Sequence, residues 1–353
     1  MVWTGLLTAA ALTGCAQPVG DAGSPLDGLH ACPAAGQVIG AYTVQAPTRS
    51  TTDGPETTGF NTWALTVGGR PRQLTADDVH PGAVISPDGR AVYQLRSSGR
   101  LLGESAEAPA AIERLDVATG VITPVAELPG IVDLNISGDG RRLAVARTVE
   151  SHPDTGLDVN SVTVIDLAPA TAVTTLPRAP DATPDLFSTV TEVALSPDGG
   201  RLAYALAIEA QRNHVVNSLR IRDLSTNVDT VAFTAPGTDS VTDLDWSPNG
   251  ATVLASVRHQ ETGDTAETPA RFRMLRVDAK AGQSTLGDGF AQDSSPVDAD
   301  GSRLLGIAPA ADAEGDLRGR ALDSWVRGRG VNARQPIDAG AAGISVASCS
   351  YQP

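Results

Sequence analysis

The chain has 353 residues, and 41% of them are hydrophobic, which is enough to bury a large core and too many for a disordered protein. Its formal net charge of −15, with Lys280 as the only lysine, argues against binding to nucleic acid or to anionic lipid headgroups. The 36 glycines and 24 prolines, together with few helical patterns, favour an all-β fold of short strands joined by tight turns.

Residues 1–15 form an uncharged, largely apolar segment that ends in Leu12-Thr13-Gly14-Cys15. The segment is too short to cross a bilayer as a helix. It resembles the lipobox of bacterial lipoproteins, although no lysine or arginine precedes it. The resemblance implies a signal peptide over 1–15, a palmitate-type anchor on Cys15, and attachment to the extracytoplasmic face of the cell membrane. Residues 16–35 are expected to be a tether. A buried first strand or helix is the alternative for residues 1–15.

A turn motif recurs along the rest of the chain. Its copies are Ser86-Pro87-Asp88-Gly89, Ser137-Gly138-Asp139-Gly140, Ser196-Pro197-Asp198-Gly199, Ser247-Pro248-Asn249-Gly250 and, more weakly, Asp298-Ala299-Asp300-Gly301. The turn glycines at 89, 140, 199, 250 and 301 are therefore 51, 59, 51 and 51 residues apart. Proline fixes φ at the second position, Asp or Asn suits the third, and glycine accepts a positive φ. Each copy is predicted to join two antiparallel strands.

Strand patterns surround each turn. A short apolar segment precedes it, an alternating or apolar segment follows it, and two further strand segments complete the repeat. In the second repeat these segments are 132–136, 143–146, 162–167 and 172–176. Four antiparallel strands per repeat, arranged radially, form a β-propeller. Strands do not alternate with helices, so a parallel sheet is not expected.

The Ser-Pro-Asp-Gly turns, followed by strands such as Leu202-Ala203-Tyr204, resemble the WD40-like (PD40) repeats of TolB-like propellers. The resemblance covers about residues 36–349, and the predicted propeller domain is 36–353. It implies an all-β, six-bladed propeller with four-stranded antiparallel blades. It specifies function only weakly, because propellers host binding modules and enzymes alike.

Five turns account for five blades, and the two ends of the chain are predicted to supply a sixth, composite blade. Segments 37–44, 61–67 and 72–75 are its second, third and fourth strands, and segment 342–348 is its first strand. This pairing would remove exposed sheet edges. Cys32 and Cys349 lie where the composite blade lacks its turn, and in an exported protein they are predicted to form a disulfide. Two unpaired thiols are the alternative.

The connections between second and third strands share one side of a propeller with the blade-to-blade connections, and we call this side the loop face. The turns lie on the opposite side, the hairpin face. Long polar connections are predicted on the loop face at 46–59, 96–110, 148–160, 208–217, 258–270 and 308–320. Binding usually resides in long loops on a rigid scaffold, so the loop face is the predicted functional face.

Histidines and glutamates occur in these connections: His152, His214 and His259, with Glu150, Glu209 and Glu261 nearby, and His80 between two blades. Imidazole and carboxylate groups suit a divalent metal, so a metal-assisted enzyme of the lyase or lactonase type is one hypothesis. The histidines differ in their offsets from the preceding strands, so solvated loop residues are the alternative. No metal or other cofactor is predicted.

No G-x-S-x-G, H-E-x-x-H, P-loop or C-x-x-C motif occurs in the sequence. The leading hypothesis is a monomeric, non-enzymatic cell-envelope lipoprotein that binds a protein, peptide or glycan through its loop face. The metal-assisted enzyme and a purely structural envelope component are alternatives. The enzyme would need at least three convergent His, Asp or Glu side chains at the channel mouth. Trp63, Trp246 and Trp325 are expected in the core.

Overall fold

The computed structural model describes residues 29, 38–45, 59–66, 71–77, 79–97, 109–151, 158–167, 172–177, 188–211, 214–259, 271–287, 293–296, 298, 300–311, 317–327, 330–337 and 341–347. At the ends of several strands only the backbone is described. The described residues contain 24 strands and no helix, so the all-β prediction is confirmed.

The strands form six four-stranded antiparallel sheets. Blade 1 contains β4 (Ala83–Ile85), β5 (Ala91–Ser97), β6 (Pro109–Asp116) and β7 (Ile122–Pro129). Blade 2 contains β8 (Ile131–Ile136), β9 (Arg142–Ser151), β10 (Asp158–Asp166) and β11 (Ala172–Thr175). Blade 3 contains β12 (Ser188–Leu195), β13 (Arg201–Gln211), β14 (His214–Asp223) and β15 (Asp229–Thr234). Blade 4 contains β16 (Ser240–Trp246), β17 (Thr252–His259), β18 (Arg271–Asp278) and β19 (Ser284–Gly287). Blade 5 contains β20 (Asp293–Pro296), β21 (Arg303–Ala311), β22 (Leu317–Val326) and β23 (Gly330–Ile337).

The sixth blade joins the two ends of the chain. Its strand order is β24 (Ala341–Val346), β1 (Val38–Gln45), β2 (Phe60–Thr66) and β3 (Arg72–Gln73). Tyr42 of β1 pairs with Ile344 on one side and with Trp63 on the other. The first strands contact one another in the cyclic order β4, β8, β12, β16, β20, β24 and back to β4. The ring is therefore closed by the composite blade, as predicted.

Local hydrogen bonds explain the recurring turn. In blade 1 the Ser86 hydroxyl donates to Asp88 Oδ1 at 2.7 Å, and the same carboxylate accepts from the Arg90 N–H at 3.0 Å. The Ala91 N–H donates back to Ser86 Oγ at 2.9 Å. Gly89 adopts a positive φ of 67°, which a side chain would strain. The same bonds recur in blades 2, 3 and 4, so the repeat predicts the hairpins correctly because its chemistry is local.

Arginines connect successive turns on the hairpin face. Arg142 of blade 2 donates to the carbonyl oxygen of Gly199 at 2.9 Å, and Arg201 of blade 3 donates to that of Gly250 at 2.8 Å. Arg276 of blade 4 donates to Gly301 O at 2.7 Å. Each bond runs from one blade to the turn of the next, so the arginines help to fix the angle between neighbouring blades.

Apolar residues fill the seams between blades. Successive residues of a strand point to opposite sheet faces, so each strand contributes to two seams. Ala144 and Ala146 of β9 pack towards Val190 and Leu202 of blade 3, whereas Leu143 and Val145 pack towards blade 1. The core is therefore a set of apolar layers between neighbouring blades. The strands of each repeat supply the residues of these layers.

Blade 3 also buries a group of charges. Asp229 accepts from Arg222 Nε at 2.8 Å, from Arg220 Nη1 at 3.3 Å and from the Tyr204 hydroxyl. The side chains of Arg220 and Arg222 are 5% and 4% exposed, and that of Asp229 is fully buried. Burial raises the pKa of Tyr204 well above its ordinary value, so the phenol stays protonated and donates to Asp229.

The structure corrects one predicted connection and leaves several predictions outside its range. The expected long loop over 208–217 is wrong, because β13 continues to Gln211 and β14 begins at His214, with Glu209 pairing Val215. Cys15, Cys32 and Cys349, the 1–15 segment and all but Leu29 of the tether lie outside the described residues. No helix within the described ranges is long and apolar enough to span a membrane.

Candidate functional site

The first strands of the blades surround a central channel that contains two cavities. The upper chamber, towards the loop face, has a volume of about 230 Å³ and is lined by residues at the start of β4 and in the middle of β8, β12, β16 and β24. The lower chamber, about 110 Å³, is lined on the hairpin face by the turn residues Pro87, Pro197 and Pro248. Asn135, Asp245 and Ser345 line both cavities and form the waist between them.

The upper chamber is lined by carboxylates of three consecutive blades. Asp133, Glu192 and Asp243 each stand four residues before the first residue of their turn motif, so the repeat places them at equivalent positions. Asp245 of the waist adds a fourth carboxyl group. The described lining residues of this chamber include no lysine, arginine or histidine.

Blade 1 and the composite blade line the chamber with uncharged residues. Gly82 of blade 1 stands four residues before its turn, as Asp133 does in blade 2, and Gly343 of the composite blade also lines the cavity. Gly343 has a positive φ of 56°, and a Cβ there would meet no atom within 4 Å. The chamber therefore has an acidic side formed by blades 2 to 4 and an uncharged side with open space.

β-bulges help to aim the acids into the channel. The register of each first strand against its neighbour shifts between Ile131 and Asp133, between Val190 and Glu192, and between Val241 and Asp243. A bulge re-aims the residues that follow it and is often found next to functional sites. Three bulges at equivalent positions thus place Asp133, Glu192 and Asp243 on one wall of the upper chamber, which we call the acidic wall.

Some channel side chains also satisfy backbone groups of the neighbouring blade. Asp133 Oδ2 accepts from the Val193 N–H at 2.8 Å, and Asn135 Oδ1 accepts from the Leu195 N–H at 3.0 Å. Ser345 Oγ accepts from the Ile85 N–H at 3.2 Å. The inner edge of a first strand has no further strand to pair with, so these side chains supply the missing acceptors.

Burial changes the protonation of two channel acids. Asp133 and Asp245 line the channel, and each residue is half-buried. Desolvation raises the pKa of Asp133 to about 6, partly opposed by its bond from Val193. Desolvation raises the pKa of Asp245 to about 7, opposed by bonds from Ser295 and Trp246. Strong shifts of this kind, in a cavity, mark candidate functional groups.

The histidines proposed from the sequence are not shown to converge. His259 Nδ1 lies 2.8 Å from Asp239 Oδ1, at the loop-face end of β17. His214 begins β14, but its side chain is not described, and His152 lies outside the described residues together with Glu261. No group of three or more His, Cys, Asp or Glu side chains in the described part of the chain could hold a metal ion. The metal hypothesis for these histidines stays a prediction.

His80 has a structural environment between the composite blade and blade 1. Its side chain is fully buried, with Nδ1 3.1 Å from the Leu95 carbonyl oxygen and Nε2 2.9 Å from Asp77 Oδ1. Both of these oxygen atoms accept hydrogen bonds, so the ring is held in place by neighbouring protein groups.

The tryptophan prediction is confirmed for two of three residues. Trp246 is 3% exposed, donates through Nε1 to the Ala194 carbonyl oxygen at 3.0 Å, and lies beneath the Arg201 guanidinium. Trp325 is also buried, whereas Trp63 is half-buried and packs against the composite-blade core.

Sequence reasoning did not identify the acidic wall. The apolar residues predict the first strands, and the acids within the same segments, Asp133, Glu192 and Asp243, are given no role. The signal that could have found them is the repeat itself, because aligning the turn motifs puts Asp133, Glu192 and Asp243 in one column.

Comparisons with known proteins identify the fold and nothing finer. No family model matches the chain, and no curated protein matches it. Among solved structures, hydrazine synthase of Kuenenia stuttgartiensis is 14% identical, with a TM-score of 0.51 over 82% of this chain and 84% of that one. The chain is a six-bladed β-propeller. An oligogalacturonate lyase in complex with manganese is 16% identical, with a TM-score of 0.49 over 79% of this propeller and 71% of the lyase. A protein described as TolB from Agrobacterium tumefaciens is 14% identical, with a TM-score of 0.47 over 86% and 91% of the two chains.

Proposed function

We propose that this propeller is a non-enzymatic, lipid-anchored protein of the cell envelope that binds a protein or peptide partner on its loop face. In this proposal the upper chamber receives a positively charged side chain of the partner. The observation that carries it is the one-sided charge of the chamber, with carboxyl groups of Asp133, Glu192, Asp243 and Asp245 and no described basic residue in the lining.

The size of the chamber supports a protruding side chain as the occupant. Sites for whole small-molecule substrates usually have volumes of about 300–1,000 Å³, and the upper chamber has about 230 Å³. A lysine or arginine side chain fits such a space while the rest of the partner lies on the loop face. Low-dielectric walls lined by one sign of charge focus the field, which attracts a cation towards the channel.

The lipid anchor is the second part of the proposal and rests on Leu12-Thr13-Gly14-Cys15. An anchor at Cys15 followed by a tether over 16–35 would hold the propeller near the membrane surface. Cys15→Ser is expected to move the protein from the membrane fraction to the soluble fraction of the envelope or to the medium. Unchanged fractionation of the variant would contradict the anchor without affecting the binding proposal.

Peptide binding tests the role of the chamber. We expect the purified Cys15→Ser protein to bind a fluorescent acetyl-Lys-Lys-Lys-amide peptide, and added salt to weaken the binding, because charges separated by solvent are screened. Asp243→Asn and Glu192→Gln should each weaken binding by roughly 5-fold to 10-fold, since each removes one charge facing the cavity.

Glu127→Gln is the matched control, because Glu127 is exposed on the outer strand β7, away from the channel. It removes the same charge and should leave the affinity unchanged. Equal weakening by Glu127→Gln and Asp243→Asn would indicate attraction to the acidic protein as a whole. Preferential binding of a neutral glycan or of an acidic peptide would contradict the proposal.

A further inference from the structure

Asp245 and Asp133 are two channel acids whose hydrogen-bond partners are described. Asp245 stands in the waist, where its Oδ1 accepts from the Trp246 N–H at 2.8 Å and its Oδ2 accepts from the Ser295 hydroxyl at 3.0 Å. Asp133 accepts from the Val193 N–H of the next blade at 2.8 Å. These partners are neutral groups, so neither carboxylate is shown paired with a cation.

The surroundings of both acids are of one charge sign. The titratable side chains that face the two chambers from the described first strands are Asp133, Glu192, Asp243 and Asp245. In the lower chamber Asp245 is the only one. Arg201 lies over the Trp246 ring, 4.6 Å from its centroid, and donates to Gly250, but it lines neither chamber.

Loss of a proton from either acid is therefore opposed in the empty channel. The charged form loses hydration in a narrow cavity, and the hydrogen bonds from the Val193 N–H, the Ser295 hydroxyl and the Trp246 N–H oppose this only in part. A cation that enters the chamber reverses this balance, because it supplies the missing opposite charge close to both acids.

We propose that the channel is a proton-linked binding chamber, in which Asp133 and Asp245 hold protons in the empty ring at mildly acidic pH and release them when a cationic side chain enters. The proposal rests on the proposed function and adds its regulation. The protons pass to solvent through the channel, and no bond other than the two O–H bonds is broken.

The expected pH dependence follows from the direction of the shifts. Desolvation raises the pKa of Asp133 to about 6 and that of Asp245 to about 7, so the free protein carries these protons below neutral pH. A cation must then displace them, which weakens its binding as the pH falls. The amino groups of a lysine peptide stay charged throughout, since their ordinary pKa is about 10.4. Any dependence between about pH 5 and 8 must come from the protein.

Titration calorimetry with acetyl-Lys-Lys-Lys-amide tests the linkage on the Cys15→Ser protein. We expect the Kd to increase by at least about 10-fold from pH 8 to pH 5, because up to two protons must be displaced at the lower pH. Near pH 6 the heat should vary between buffers of different ionisation enthalpy, which reports the protons released on binding.

The double variant Asp133→Asn, Asp245→Asn tests whether these two residues carry the protons that are released on binding. It should bind the peptide with an affinity nearly independent of pH, whereas His259→Gln should keep the dependence of the parent protein. As an independent measurement, carboxyl 13C NMR of the free protein should show two aspartates that titrate near pH 6 and pH 7 and are absent from the double variant.

The outcomes separate the two proposals. Tight binding that does not change with pH, or aspartates that all titrate near their ordinary value of about 4, would overturn the proton linkage and leave the proposed function in place. Absence of peptide binding at every pH would overturn the proposed function and the linkage with it.

Discussion

Two regions of this propeller place carboxylates inside the fold, and the groups that surround the two carboxylates differ. Asp229 in blade 3 is enclosed by Arg220, Arg222 and the Tyr204 hydroxyl. Asp245 in the waist of the channel has only neutral hydrogen-bond donors among its described partners, and burial raises its pKa to about 7. A buried charge that serves the fold is paired, whereas one that is left unpaired in a cavity lowers stability and calls for another explanation.

The blade 3 group should give the largest effect on stability. Asp229→Asn removes the carboxylate that two buried arginines share, and breaking such a pair costs about 3–5 kcal/mol because the remaining charge stays buried. Urea unfolding near neutral pH should show this loss. The matched variant Asp166→Asn removes a carboxylate from the half-exposed pair with Arg142, and should cost no more than about 1 kcal/mol. Similar losses in both variants would contradict the distinction.

The closure of the ring by its two ends gives the next prediction. If Cys32 and Cys349 form a disulfide, Cys349→Ser should lower the free energy of unfolding by about 2–4 kcal/mol. Limited proteolysis should then cut near both termini first, because β24 and β1 would separate while blades 1 to 5 remain folded. Two free thiols titrated in the natively folded, exported protein would contradict the pairing.

Substitution of Asp245 in the waist should raise the free energy of unfolding, whereas substitution of Asp229 in blade 3 should lower it. A carboxyl group whose pKa is raised by folding holds its proton in the folded state, so its contribution to stability is greatest below about pH 4 and is lost as the pH rises through about 7. Asp245→Asn removes this loss and should raise the free energy of unfolding at about pH 8 by about 1–3 kcal/mol.

The same variant should change little at about pH 4, where Asp245 is protonated in both states. Unfolding of the variant and the parent protein at the two pH values provides the comparison. A variant that is less stable than the parent at about pH 8 would show that the charged carboxylate stabilises the waist.

The smallest effect is expected on the hairpin face. Arg142→Gln removes the bond to the Gly199 carbonyl oxygen and the half-exposed pair with Asp166, and should cost about 0.5–1.5 kcal/mol in all. The loss should not depend on pH between about 5 and 8, because arginine stays charged there. A pH-dependent loss would mean that this interblade link is coupled to the channel acids.

Most of the fold could be predicted from the sequence, because its signals are local. Ser86, Asp88 and Gly89 form a turn through bonds within five residues, and the same turn recurs at nearly constant spacing. The composite blade followed from counting strands at the two ends. The connection over 208–217 was missed because its polar residues resemble a loop, while the pairing of Ile208 with Val216 extends the hairpin.

The candidate site could not be predicted in the same way. Asp133 and Asp245 belong to blades 2 and 4, and only closure of the ring brings them into one channel. Their raised pKa values depend on surrounding atoms from several blades, which no local pattern encodes. The metal hypothesis for the histidines rests on residue type alone. In the structure His259 is paired with Asp239.

The most direct test of the account is the carboxyl 13C NMR spectrum of the Cys15→Ser protein at about pH 6.5, recorded before and after addition of acetyl-Lys-Lys-Lys-amide. The account predicts that the signals of Asp133 and Asp245 move towards their ionised positions as the peptide binds, while the Asp229 signal stays fixed. Peptide binding that leaves the two channel signals unchanged would contradict the central claim that a cation entering the acid-lined channel releases protons from Asp133 and Asp245.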